Sequence, residues 1–242
     1  MKICIAQTKP VKGDIEKNTL NHIKLIEVAA DEKVDLIVFP ELSLTGYEPA
    51  LANELATNAN DYRLKVFQTL SNAHQMTIGV GIPTPGKTGI QISLIFFQPF
   101  QLPITYSKQF LHSDEFPFFV KGEKQLYLNI KKYKIAPAIC YESMLTEHVE
   151  NAVENGAKIY FASVAKTAAG VEKGFHHYSE IAKKCGITLA MTNYVGPSDN
   201  FESAGKSAIW NQNGELMGQL DGSNEGILTF NLESNLVQIK YC

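Results

Sequence analysis

Three apolar segments of the chain each run into a side chain that can do chemistry. Leu36-Ile37-Val38-Phe39-Pro40 leads to Glu41, Ile104-Thr105-Tyr106-Ser107 to Lys108, and Ile135-Ala136-Pro137-Ala138-Ile139 to Cys140. In layered α/β proteins ligand sites gather where strands end, so these three residues can converge. A carboxylate, an ammonium and a thiol brought together suit nucleophilic catalysis. A free thiol has a pKa near 8.5 and is mostly protonated at neutral pH, so it needs a base or a nearby cation. Each residue also has a plain structural reading: Cys140 as a small core hydrophobe, Glu41 as a loop acid, Lys108 as a surface lysine.

The elements that would position them mostly alternate strand and helix. Residues 2–7 read as a buried strand. Ile15, Thr19, Ile23, Ile26 and Ala30 then recur on one face of a helix. A short strand at 35–39 ends at Pro40, which cannot donate to a ladder. Helix patterns follow at 61–74, 145–155 and 173–185, and strands near 76–81, 90–97, 102–106, 133–139, 158–163 and 187–193. From Lys206 on, two strands joined at Asn213-Gly214 are expected. This alternation implies a layered α/β fold with helices outside, and its hairpins favour a mixed sheet or two sheets. With no repeat or linker, residues 1–242 read as one domain.

Residues 81–88, Gly-Ile-Pro-Thr-Pro-Gly-Lys-Thr, match the phosphate-loop pattern letter for letter. The physics refuses it. Phosphate cradling uses successive backbone N–H groups, and Pro83 and Pro85 have none. The lysine should open a helix, yet Ile90 to Phe97 has strand composition, so a turn between strands is expected.

Composition narrows the partners. A formal charge of -3 gives no footprint for nucleic acid, and of 22 basic residues only Arg63 is arginine. Cys4, Cys140, Cys185 and Cys242 show no CxxC pair and no metal-finger spacing. Cys4 and Cys185 read as core. The N-terminus lacks the roughly 7–15-residue apolar stretch of a signal peptide. No run approaches the roughly 18 apolar residues of a membrane span. A soluble, cytoplasmic protein with reduced thiols and no membrane partner is the expectation.

A set of short motifs then appears in order: Phe39-Pro40-Glu41 with Gly46-Tyr47 behind it, Tyr106-Ser107-Lys108 with Leu111 and Glu115, and Cys140-Tyr141-Glu142. Gly156-Ala157-Lys158-Ile159, Asn193-Tyr194-Val195-Gly196, Gly205-Lys206-Ser207 and Asn213-Gly214 complete it. In these the chain resembles the nitrilase superfamily of carbon–nitrogen hydrolases, from near residue 2 to near 230. The resemblance implies an αββα sandwich, commonly a homodimer. It also implies a Glu-Lys-Cys triad on Glu41, Lys108 and Cys140, a supporting acid at Glu115, and no metal or organic cofactor.

Amide chemistry agrees with those positions. Glu41 would take the thiol proton and return it to the leaving amine. Lys108 and the backbone N–H of Tyr141 would hold the oxyanion, leaving a thioester on Cys140 for water to release. Tyr47 and Glu142 are read as candidate pocket residues, Glu142 also bracing the turn after the nucleophile. The expected substrate is a small linear non-peptide amide or carbamoyl compound, since Cys-Tyr-Glu resembles amidase motifs more than the Cys-Trp-Glu of many nitrilases. A nitrile hydrolase, a non-catalytic binding module, and a Cys–His hydrolase using His148 or His176 are the alternatives. The family's Arg-Ala-x-Glu-Asn pattern is replaced by Ile181-Ala182-Lys183-Lys184-Cys185, which bears on packing or dimer contacts. No additional domain for NAD synthesis or lipoprotein acylation is expected. With Arg63 alone on a surface helix, a substrate carboxylate would depend on lysines or backbone, and little preference for dicarboxylic monoamides is expected.

Overall fold

The structure, a computed structural model, describes every residue from Met1 to Cys242. The first half of the chain builds one sheet: β1 (Lys2–Gln7), α1 (Ile15–Asp31), β2 (Leu36–Val38), the single turn α2 (Ala52–Leu55), α3 (Lys65–His74), β3 (Thr77–Pro85), β4 (Ile90–Phe97) and β5 (Ile104–Ser107). β1, β2 and β3 run parallel, and β4 and β5 continue antiparallel. The second half builds a facing sheet from β6 (Leu128–Ile130), β7 (Tyr133–Ile139), α4 (Thr146–Glu154), β8 (Ile159–Ser163), α5 (Ala168–Cys185) and β9 (Thr188–Thr192). A ribbon of β10 (Val195–Ser198) and β11 (Phe201–Ala204) follows, then β12 (Ala208–Trp210) and β13 (Leu216–Gln219) at the second sheet's far edge. β14 (Gly226–Asn231) and β15 (Val237–Tyr241) return to the first sheet, β14 antiparallel beside β1.

Period-two alternation sorts each strand's side chains into layers. Ile3 and Ile5 point between the sheets, where they meet Ile135, Ile139 and Phe161 from the other side. Cys4 and Ala6 point outward onto Leu25, Ile26 and Ala29 of α1. In the second sheet Ala136 and Ala138 pack outward against Val149 of α4 and Ile181 of α5. The result is the expected αββα sandwich. Hydrogen bonds also cross it: Ser163 donates to the Phe39 carbonyl at 2.9 Å, and the Thr192 hydroxyl donates to the Ala6 carbonyl.

Several boundaries differ from the sequence expectation. α5 starts at Ala168 rather than near 173, because Thr167 caps it, its hydroxyl accepting from the Gly170 N–H at 3.2 Å. The first turn of the 61–74 segment is a 3-10 turn, Tyr62–Leu64. The tail holds four strands, not two. Strands β6, β10 and β11 were not legible: β6 has three residues, and Val195-Gly196-Pro197-Ser198 carries no apolar alternation. The Gly-Lys-Thr segment is the hairpin turn between β3 and β4, closed by the Gly86 N–H on the Gly89 carbonyl at 2.7 Å, with no helix behind it. No helix is long and apolar enough to cross a membrane. In the altered Ile181–Cys185 segment, Ile181 and Ala182 remain in the core and Lys184 pairs with Glu150 at 2.7 Å.

Candidate active site

Glu41 sits in a turn that leaves β2 and folds back on β3. The Phe39 N–H donates to the Gly79 carbonyl and the Leu44 N–H to the Gly81 carbonyl, both at 2.9 Å. A Cβ on Gly81 would lie 2.4 Å from the Leu42 nitrogen and the Pro40 carbonyl oxygen. Glycine there lets the strand and the turn touch. The first glycine of the false phosphate loop therefore serves the Glu41 turn. Ser43 links the two further, accepting from the Gly81 N–H at 3.1 Å and meeting His22 Nε2 at 2.9 Å. From the opposite sheet, the Tyr194 hydroxyl donates to the Glu41 carbonyl.

Lys108 follows β5 directly. Its backbone is pinned on both sides, N–H to the Ile92 carbonyl at 2.8 Å and carbonyl to the Gly122 N–H at 2.7 Å. Its fully buried ammonium donates to Glu41 Oε1 at 2.8 Å and to Glu115 Oε1 at 2.6 Å. Glu115 accepts also from the Tyr47 hydroxyl at 3.2 Å and, on Oε2, from the His112 N–H at 2.8 Å. Two buried acids thus share one cation. Burial, seconded by the charge of Glu115, raises Glu41 to about 7 against the opposing pull of Lys108. For Lys108 burial opposes the charge, but Glu41, Cys140 and Glu115 together outweigh it and hold the ammonium protonated. Glu41 Oε2 is buried with no hydrogen-bond partner, a lone pair left over for a proton.

Cys140 is the first residue past β7 and takes φ +46°, left-handed backbone that costs a non-glycine residue about 1–3 kcal/mol. Neighbours hold it there. Ser143 Oγ donates to the Cys140 carbonyl at 2.5 Å and pairs with the Tyr178 hydroxyl at 2.6 Å. The half-buried thiol lies 3.9 Å from the Ala165 carbonyl. Burial, then the charge of Glu41, push its pKa up to about 11, so the resting group is a neutral thiol. Tyr141 is the second residue of the 3-10 turn Cys140–Met144, and the first N–H groups of such a turn have no partner within it. Tyr47, Glu115, Cys140 and Tyr141 line one cleft of about 460 Å³.

Glu142 is not on that wall. It is fully buried below the nucleophile turn, where its carboxylate accepts from the Ile139 N–H at 2.7 Å, the Gln109 N–H at 2.8 Å and the Tyr106 hydroxyl. It ties the residue after Lys108 to the residue before Cys140, which is bracing and not substrate contact. His148 uses both ring nitrogens on the hydroxyls of Tyr160 and Tyr106, at 2.7 Å and 3.3 Å. His176 pairs with Glu180 at the surface. Neither histidine hydrogen-bonds the thiol. All four cysteines are free, Cys4 in the core and Cys185 half-buried. No three His, Cys, Asp or Glu side chains gather into a metal-holding group.

Sequence reasoning missed Lys166, which lines the cleft beside Cys140. Its signal was available: β8 ends at Ser163, and Lys166 follows three residues later, the same strand-end logic that marked the other three. Asn193 and Tyr194 stood in a motif but had no stated role.

The family model for carbon-nitrogen hydrolase matches residues 2–241. The chain belongs to that family. This carbon–nitrogen hydrolase is 29% identical to the "Hydrolase in agr operon" of Staphylococcus aureus, an alignment covering 98% of this chain and 93% of that one. It is 25% identical to the glutamine-dependent NAD(+) synthetase of Aquifex aeolicus over 96% of its own length but only 42% of the synthetase. Among solved structures, the amidase of Nesterenkonia sp. AN1 has the same fold, with a TM-score of 0.88 at 22% identity over 97% of this chain and 93% of that one.

Proposed function

We propose that this carbon–nitrogen hydrolase cleaves a small linear non-peptide amide or carbamoyl amine through a thioester on Cys140, with 1–242 acting as one hydrolase domain. The observation that carries this is the Lys108 ammonium held between Glu41 and Glu115, with the free Oε2 of Glu41 left for the thiol proton. A thiol near 11 and a carboxyl near 7 favour general-base attack over a preformed thiolate. Sγ attacks the carbonyl carbon as Glu41 takes its proton. The oxyanion is held by Lys108 and the Tyr141 N–H. Collapse breaks the C–N bond, and Glu41 hands the proton to the departing amine. Glu41 then deprotonates water, which attacks the thioester, and the proton returns to the thiol as the acid leaves.

The test is ammonia release from linear amides, carbamoyl amines and nitriles, with native protein against Cys140→Ala. Glutamate-substituted mutants of the Nesterenkonia amidase have been captured with the acetamide moiety of fluoroacetamide on the active-site cysteine, which recommends that reagent on Glu41→Gln here. We expect amide turnover that vanishes with Cys140, and one acetamide adduct per chain on Cys140. Turnover retained by Cys140→Ala, or best turnover of nitriles, defeats the reading. The same reading includes a cytoplasmic homodimer, tested by sedimentation at micromolar concentration.

A further inference from the structure

The peptide unit between Cys140 and Tyr141 faces two ways. Its N–H is the proposed oxyanion donor, and its carbonyl accepts from Ser143 Oγ at 2.5 Å. Ser143 Oγ in turn meets the Tyr178 hydroxyl at 2.6 Å. A carbonyl only accepts, so the one hydroxyl proton of Ser143 is taken by Cys140. Tyr178 must then be the donor to Ser143. The chain of bonds has one direction, from Tyr178 through Ser143 to the Cys140 carbonyl.

Both hydroxyl-bearing residues are fully buried. Tyr178 stands on α5 with its ring 5.5 Å from that of Trp210. One turn earlier on the helix, a Cβ at Gly174 would come within 3.1 Å of the Tyr178 ring, so glycine leaves it room. In a trans peptide the C=O and N–H point opposite ways. A bond that keeps the Cys140 carbonyl on the buried side therefore turns the Tyr141 N–H toward the cleft, which Tyr141 lines. The left-handed backbone of Cys140, φ +46°, gives this peptide a reason to swing once the bond is lost. Hydrogen bonds in series also polarise one another, which strengthens the N–H at the far end as a donor.

We infer that Tyr178 is a positioning residue for the oxyanion: acting through Ser143, it aims and polarises the Cys140–Tyr141 peptide. The inference rests on the amidase reading of the cleft. Neither hydroxyl touches substrate. Their effect belongs to steps in which negative charge builds on the substrate oxygen.

The experiment compares two reagents for the Cys140 thiol, in native protein, Tyr178→Phe, Ser143→Ala and the double variant. Butyraldehyde forms a hemithioacetal: Sγ bonds to the carbonyl carbon and the π pair moves to oxygen, which then takes the thiol proton. That oxygen sits where the amide oxyanion would. Methyl methanethiosulfonate forms no oxyanion: Sγ attacks its sulfur, methanesulfinate leaves and the thiol proton goes to solvent. The second reaction is timed at the Cys140 peptide by mass spectrometry, and butyraldehyde affinity is read as protection against it. Tyr178→Phe and Ser143→Ala should each weaken butyraldehyde about tenfold, the scale of one lost hydrogen bond, while the rate without aldehyde changes less than about twofold. The double variant should lose no more than Ser143→Ala alone, because both act through one carbonyl. Unchanged aldehyde affinity overturns the inference. So does an equal loss with both reagents, which would mean that the thiol itself has moved. Losses that multiply in the double variant also overturn it, since the two hydroxyls would then act separately. Weakened aldehyde binding in a protein that turns over no amide keeps the relay and defeats the amidase reading instead.

Discussion

Asn193 grips Lys166 by both of its backbone hydrogen-bonding groups, and spends its remaining amide hydrogen on the Gly205 carbonyl at 2.9 Å. One buried side chain therefore joins the ends of β8, β9 and the ribbon beside the cleft. Asn193→Ala removes three hydrogen bonds and leaves buried backbone groups unpaired. We expect a loss of about 2–4 kcal/mol in chemical denaturation.

The pH dependence follows from Glu41 and Cys140. The working pair is an ionised Glu41 beside a protonated thiol, so the usable window opens at about 7 and closes near about 11. Below the opening Glu41 carries a proton and cannot accept another. The value of kcat/KM should therefore rise with pH through about 7, roughly tenfold per unit on the acid side. A profile that begins to rise only above pH 9 would mean that a free thiolate is needed. Glu41→Gln should abolish the limb and cost roughly 10²–10⁴ in rate.

Removing the shared cation should be felt twice. Lys108→Met strands two buried carboxylates, for which about 3–5 kcal/mol of destabilisation is the usual scale. It also removes an oxyanion donor, worth about 10²–10³ in rate. Lys108→Met/Glu115→Gln separates the effects: thermal stability should partly recover while turnover does not. Recovery of turnover would mean that Lys108 acts only as a counter-ion.

Gly81 is a sharper test of positioning. An alanine methyl would collide with backbone, not with a yielding side chain, so the Glu41 turn must move. A displacement of about 1 Å in a catalytic group can cost about 10²-fold. We expect Gly81→Ala to lose that much turnover while leaving the thiol of Cys140, on the other sheet, open to fluoroacetamide. Lys87→Ala, six residues on in the same false phosphate loop, should change neither turnover nor melting temperature, and ATP should give no thermal shift with either protein.

The residues that could be read from the sequence are those whose neighbours along the chain carry the signal. Glu41, Lys108 and Cys140 each follow a continuous apolar run, and such runs are easy to see. The ends of α5 were harder, because the Thr167 cap precedes an Ala-Ala-Gly stretch without an apolar face. Glu142 and Tyr194 were harder still. Whether a side chain faces a cleft or ties two loops together depends on what the other sheet presents to it. Tyr194 reaches Glu41 across 153 positions of sequence, and no local pattern encodes that meeting. The place of Lys166 was hidden for a similar reason: a lysine in a cleft differs from a surface lysine only by what surrounds it in space.

The thiol comes from one sheet and both of its polar partners from the other, so chemistry here doubles as a gauge of how the two halves seat. Strands step by about 3.3 Å per residue, more than a hydrogen bond tolerates, so a slip of a single step would part Cys140 from Glu41. An acid-expanded state that keeps its strands but loosens the contact between layers should be inactive while its far-ultraviolet dichroism still looks native. On gradual unfolding, turnover should disappear first and backbone order afterwards.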